Sequence, residues 1–140
     1  MVEAVIRARI EEWAEALRSK NIDSVMSFYA PDVVSFDVVP PLRYSGGDRK
    51  RRAWEAAFAT FAGPLTYDLH EVTVTTDGEL ALVHSLNHVT GRLSNGHMSD
   101  LWLRWTACFR QIDGMWLVVH DHASVPADLE HGHAMVHLTP

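Results

Sequence analysis

Apolar positions recur along this chain with two periods, one helical and one of two. Between residues 3 and 19, Ile6, Ile10, Trp13 and Leu17 return every three or four positions, with Glu3, Arg7, Glu11, Glu15 and Arg18 on the opposite side. One apolar and one charged stripe predict an amphipathic helix. Asn21 is a good N-cap, because its side-chain oxygen can take a free amide of the first turn, and Asp23 suits the positive end of a helix. A short helix over 22–29 follows, ended by Pro31-Asp32. Residues 33–39 then alternate as a strand, with Val33, Ser35, Asp37 and Val39 on one side and Val34, Phe36 and Val38 on the other. Pro40-Pro41 breaks it, and Ser45-Gly46-Gly47 turns the chain into a third helix near Asp48. Trp54, Ala57, Phe58 and Phe61 share a face of that helix, and Gly63-Pro64 stops it.

Beyond residue 65 the period becomes two. Strands over 66–76 and 80–92 are separated by Asp77-Gly78, and the second ends at Ser94-Asn95-Gly96. A long hairpin over 99–126 turns at Asp113-Gly114, the strongest short-range hairpin signal in the chain. Its first arm puts Leu101, Leu103, Trp105, Ala107 and Phe109 on one face, and Trp102, Arg104, Thr106, Cys108 and Arg110 on the other. Tryptophan on both faces predicts a sheet covered twice, by helices on one side and by a partner on the other. Helices segregated from a meander of strands mean α+β. The expected architecture is three helices packed on the concave face of a strongly curved, mostly antiparallel sheet, around a cone-shaped cavity. It forms one domain over 1–126, followed by a polar, loosely ordered tail over 127–140.

Bulk properties narrow the partners. A chain of 140 residues can bury roughly two-thirds of its unfolded surface. A net charge of −6 gives no electrostatic reason for nucleic acid or an anionic membrane as partner. The one basic run, Arg49-Lys50-Arg51-Arg52, reads as a solvated helix start rather than a phosphate site. The single cysteine, Cys108, can form no internal disulfide, which fits a reducing compartment. The first residues are amphipathic and acidic rather than a signal peptide, and no apolar run approaches membrane-spanning length. A soluble, cytoplasmic protein is expected.

Two stretches resemble a known group. Tyr29 to Gly46, Y-A-P-D-V-V-S-F-D-V-V-P-P-L-R-Y-S-G, looks like the ketosteroid isomerase stretch of tyrosine, alanine, acid, strand, Asp, Pro-rich loop and Gly. Trp116 to Pro126, W-L-V-V-H-D-H-A-S-V-P, is similar to the end of the calmodulin-dependent kinase association domain and of many SnoaL-like proteins. With the element order, the chain resembles the nuclear-transport-factor-2-like superfamily, which includes ketosteroid isomerase and the SnoaL-like polyketide cyclases, over about residues 3 to 126. The resemblance puts Asp37 at the general-base position. It also puts Trp13 where the isomerase has an oxyanion-donating tyrosine, and Thr106 or Ala107 where it has an acid, so steroid isomerisation itself is not implied. The three pocket arginines of the association domain fall on His84, Ala107 and Ala123, so its anion pocket is not reproduced.

The same resemblance assigns faces. It turns Trp105, Ala107, Phe109, Val119, Asp121 and Ala123 inward, together with His84 and hence His88. A three-residue loop with a glycine bulge would pair odd with odd positions in this way, whereas a two-residue turn would pair Ala107 with His120. His120 and His122 then lie outside with Trp102, Arg104 and Trp116. His-x-His on one strand face can chelate a metal, with His70, His84, His88, His131 or His133 completing the set, but nothing fixes that spacing and no metal or cofactor is expected. The expected site is Asp37 with Asp121 and His84 as acid or orienting partners, lined by Trp13, Tyr29, Trp54, Phe58, His88, Trp105, Ala107, Phe109, Val119 and Ala123. Asp37 has a structural alternative, bracing the amides of the Pro-Pro loop. The implied function is cofactor-free isomerisation, cyclisation, dehydration or hydration of a small lipophilic molecule. A non-catalytic binding or oligomerisation domain is the alternative, and a homodimer through the outer sheet face is expected with either.

Overall fold

Helix α1 (Val2–Arg18) carries the stripe its sequence dictates: Ile6, Ile10, Trp13 and Leu17 are all buried. In this computed structural model, which describes residues 1–140, α1 lies along strand β3 and α2 (Ile22–Met26) follows it. The Asn21 side chain accepts the Ser24 amide, as an N-cap should. Strand β1 (Tyr29–Phe36) begins inside the stretch read as helix, and ends just before Asp37. Hairpin strand β2 (Tyr44–Ser45) then leads into α3 (Gly47–Thr60).

Six strands form one mixed, mostly antiparallel, curved sheet in the order β2-β1-β6-β5-β4-β3, the remaining members being β3 (Phe61–Asp77), β4 (Leu80–Leu93), β5 (Met98–Ile112) and β6 (Met115–Ser124). Only β1 and β6 run parallel. Strand β3 starts at once from the end of α3 and passes through Gly63-Pro64, which was expected to stop the helix outside any strand. An edge strand can hold a proline, because one of its sides owes no ladder hydrogen bond. The helices cover one face, where Trp13 stacks on Trp105 at 4.6 Å between centroids. The tail, expected to be loosely ordered, pairs β7 (Ala127–Asp128) with β8 (His133–Ala134).

The last hairpin settles the faces, by a route the sequence did not suggest. Its turn is the two-residue form: Ile112 pairs with Met115, and both Asp113 (φ 50°) and Gly114 (φ 80°) are left-handed, as a type I′ turn requires. That register pairs Phe109 with Val118 and buries Trp116, which was expected outside. A bulge between Val118 and His120 then shifts the register by one, so that Ala107 pairs with Asp121 and Trp105 with Ala123. Val119 is the extra residue of that bulge and does not share the inward face of Asp121.

Candidate functional site

A cavity of about 480 Å³ opens between α3, the inner face of β3 to β6 and the 37–40 loop. Most of its wall is apolar, with Trp13, Trp54, Phe58, Trp105 and Ala123 among the residues that line it. Its polar groups are few. Asp37, Lys50 and Asp121 gather at one end, and Tyr44 and Tyr67 also line the cavity.

The charged end is assembled by register. Parallel pairing sets Ser35 beside Asp121, and antiparallel pairing sets Ala107 on the other side of it. An alanine there leaves room for the carboxylate. Helix α3 brings Lys50 over the pair, because Lys50, Trp54, Ala57 and Phe61 fall at i, i+4, i+7 and i+11, the spacing of one face. Lys50 is the one buried residue of that helix, 3% exposed. Its Nζ donates to Ser35 Oγ at 2.8 Å and sits 3.5 Å from Asp37 Oδ2 and 3.7 Å from Asp121 Oδ1. Ser35 Oγ donates a short hydrogen bond to Asp121 Oδ1, and Trp105 Nε1 donates to Asp121 Oδ2 at 3.4 Å. Ser35 is fully buried and does not line the cavity, so its contact with Lys50 is a brace rather than a nucleophile–base pair. Burying Lys50 and Asp121 is costly, and their mutual pairing, with hydrogen bonds from Ser35 and Trp105 and Asp37 at the edge, is what makes it tolerable.

The two carboxylates differ. Both oxygens of Asp121 accept hydrogen bonds, and its side chain is 5% exposed. Asp37 is looser: Oδ1 takes the Val38 amide at 2.7 Å, Oδ2 faces Lys50 at a long 3.5 Å, and the side chain is 26% exposed. Asp121 is therefore held in one orientation, while Asp37 keeps lone pairs toward the cavity.

Two buried tyrosines complete the surroundings. Tyr29 Oη accepts the indole N–H of Trp13 at 3.1 Å and of Trp54 at 3.0 Å, and burial, with the Asp121 charge adding, pushes its hydroxyl well above the ordinary range. Tyr67 Oη accepts Asn87 Nδ2–H at 3.0 Å, and burial raises its hydroxyl likewise.

Of the residues the sequence nominated, Asp37, Asp121, Trp13, Trp54, Phe58, Trp105 and Ala123 come together around the cavity. Tyr29, Ala107 and Phe109 are buried in the core and do not line it. His84 and His88 do not join it at all. The inward set of β4 is Ala81, Val83, Ser85, Asn87 and Val89, so both histidines point to the outer face, where His84 pairs with Thr106. A one-residue offset exchanges the faces of a strand, and the resemblance at His84 was off by that much. Val119 is displaced by its bulge, as described above. Lys50 and Tyr67 were missed. The spacing with Trp54 and Phe61 marks Lys50 as inward despite its basic neighbours, and alternation with Leu65 and Leu69 marks Tyr67.

The family model for the SnoaL-like domain matches residues 6–128. An NTF2-like protein of unknown function from Pseudomonas putida is similar over 99% of this chain and 96% of its own, at 34% identity and a TM-score of 0.90. A ketosteroid isomerase-like protein from Erwinia carotovora shares the fold at 24% identity and TM-score 0.75, covering 86% and 93% of the two chains. So does a candidate scytalone dehydratase from Novosphingobium aromaticivorans, at 14% identity and TM-score 0.78, covering 87% and 83%. No curated protein matches the chain.

Proposed function

The chain belongs to the SnoaL-like domain family, and we propose that it is a small general acid–base enzyme acting on a lipophilic molecule held in its cavity. The observation that carries this reading is the Asp37–Lys50–Asp121 group at one end of an otherwise apolar cavity. Ionisable groups in a largely apolar cleft are placed at a cost that folding alone does not need. Asp37, the less engaged carboxylate, is the proton acceptor, and Asp121 with Lys50 holds the charge balance and the geometry. In the common step a proton passes from carbon to Asp37 Oδ2 and the C–H electron pair moves toward an adjacent carbonyl oxygen. Return of that proton from Asp37 to another carbon gives isomerisation, and its delivery to a β-hydroxyl that leaves as water gives dehydration. The reverse of dehydration is hydration, and attack of the enolate carbon on a second carbonyl of the substrate, with the proton passed to the new alkoxide, gives cyclisation. Proton transfer of this kind needs no cofactor. Folds shared with proteins named for isomerase and dehydratase chemistry are compatible with it.

The test uses a plain lipophilic ketone. Wild-type protein should accelerate deuterium uptake at the α-carbon of 2-tetralone in heavy water, and Asp37→Asn should remove at least about 100-fold of that acceleration. The bond from Val38 N–H to Asp37 favours a second reading, in which Asp37 only braces its loop and the domain binds without catalysis. In that case Asp37→Asn exchanges at the wild-type rate and melts lower.

The outer face supports a proposal of its own, a homodimer. No helix covers it, and Phe36 (37% exposed), Leu80 (44%) and Leu82 (47%) stand on it, as does half-buried Trp102.

A further inference from the structure

Each polar handle on the cavity wall has a partner within the protein, with few exceptions. The indole N–H groups of Trp13 and Trp54 both go to Tyr29 Oη, and that of Trp105 goes to Asp121. Tyr44 donates to the Pro40 carbonyl at 2.8 Å, and Thr60 to the Ala57 carbonyl at 2.6 Å. Tyr67 differs. Its ring lies on the inner face of β3, edge-on to Trp13 at 5.4 Å, and the residue is 5% exposed. Its oxygen accepts from Asn87 Nδ2, while Asn87 Oδ1 accepts the Ser85 hydroxyl at 2.6 Å. A hydroxyl has one hydrogen to give, and no protein group takes that of Tyr67. The other cavity hydroxyl without a protein acceptor, Ser99, is partly exposed at the start of β5.

Ser85, Asn87 and Tyr67 thus form a buried relay of donors whose last hydrogen has no protein acceptor, on a residue that lines the cavity. Asn87 is 0% and Ser85 5% exposed, so the relay is not a solvated surface network. Polar side chains placed in a core without structural need cost stability, and hydrogen bonds passed in one direction polarise the terminal donor. We propose that Tyr67 O–H binds the carbonyl oxygen of the substrate, and that the substrate class is a neutral lipophilic ketone or enone rather than a carboxylate. Neutrality follows from the charged group of the same cavity, where two carboxylates face one ammonium and would repel an anion. Burial keeps the Tyr67 hydroxyl protonated across the physiological range, the Asp37 and Asp121 charges act in the same direction, and the Asn87 hydrogen bond opposes them. As oxygen charge grows during proton transfer, this donor strengthens, which supplies the oxyanion contact that Trp13 and Ala107 do not.

This inference rests on the acid–base reading of the same cavity, but its binding arm is independent of turnover. The probe is 6-propionyl-2-(dimethylamino)naphthalene, a ketone whose fluorescence moves to the red when its carbonyl accepts a hydrogen bond. Wild-type protein should bind it with red-shifted emission and about 2- to 10-fold more tightly than the matched 6-propyl compound, which lacks the carbonyl. Tyr67→Phe should shift the bound emission to the blue and erase that preference. In the 2-tetralone exchange, Tyr67→Phe should lower kcat by about 100-fold with only a few-fold change in KM. Equal affinity of wild-type protein for the two probes, or no binding of the ketone, would overturn the proposal without any variant. So would unchanged emission in Tyr67→Phe. Loss of exchange in Asp37→Asn alone, with Tyr67→Phe like wild type, would leave the base standing and remove the donor. A red-shifted, Tyr67-dependent probe without any exchange would do the opposite.

Discussion

Lys50 is where removing a single atom group should be felt most. Its side chain is 3% exposed, and its ammonium lies within 4 Å of two carboxylates, one of them, Asp121, as deeply buried. Truncating one partner of a buried pair strands the other, at about 3–5 kcal/mol, whereas removing both charges is far milder. Lys50→Met should therefore lower the urea-derived stability by about 3 kcal/mol, with Lys50→Met/Asp121→Asn recovering much of it. An additive double mutant would mean that the pair is not coupled. The two buried tyrosines set a second expectation. Both hydroxyls are raised by burial, so above the ordinary tyrosine value of about 10 the unfolded chain loses protons that the folded chain keeps. Their contribution is whole below that value, and stability falls as pH rises past it, by about 1.4 kcal/mol per unit for each group. Unfolding measured between pH about 9 and about 11 should show that decline, less steeply in Tyr29→Phe and in Tyr67→Phe. These residues also show how far the sequence was readable at this scale. Asp37 and Asp121 were found by resemblance and by alternation. Lys50 was hidden because a run of four basic residues looks solvated, although its spacing to Trp54 placed it inside.

At the scale of elements, helix α1 and the long strands were legible because a single period runs through each. Boundaries were not, wherever a turn signal lies inside an edge strand or a bulge resets the alternation. Gly63-Pro64 looked like a stop yet sits within β3, and the Asp113-Gly114 turn was read one residue too long. Asp121 still came out inward because the Val119 bulge supplies the same one-residue shift that the longer loop would have given. Gly91 marks where β4 meets the beginning of β3. A methyl group there would lie 2.7 Å from Phe61 Cδ1 and 3.3 Å from the Pro64 carbonyl, whereas at Gly63 it would meet nothing within 4 Å. Gly91→Ala should cost about 1–3 kcal/mol by overpacking, and it should alter affinity for the naphthyl ketone, since Phe61 lines the cavity. Gly63→Ala, in open space and without a positive φ, should stay within about 0.5 kcal/mol of wild type in the same thermal and urea melts. Equal losses at the two sites would mean that the contact at Gly91 relaxes freely.

For the whole molecule, the α+β class and the segregation of helices to one face were readable, because helical and two-residue periods occupy separate parts of the chain. What covers the other face is a property of assembly, and a single chain bears on it only through what it leaves bare. There, Trp102 is stacked on His88 at 4.4 Å and packed beside His70 at 4.9 Å, and Phe36 packs edge-on against His120 at 4.8 Å. These histidines do not gather as ligands: the one group of three whose ligand atoms lie within 4.8 Å of one another is Asp128, Glu130 and His131 in the tail. Treatment with a chelator should leave the melting temperature unchanged, and a stoichiometric tightly held metal in purified protein would overturn that expectation. The aromatic–histidine surface is better explained as contact area. One sheet face presented by two copies across a two-fold axis is matched by the same face of its partner, and aromatic groups flanked by polar ones are what the centre of such an interface favours. The protein should therefore sediment as a dimer at micromolar concentration. Trp102→Glu puts a charge at the centre of that contact and should give monomers. Trp102 does not line the cavity, so the variant should still bind the naphthyl ketone with red-shifted emission. A wild-type monomer would remove the interface, and a Trp102→Glu dimer would move it to another surface.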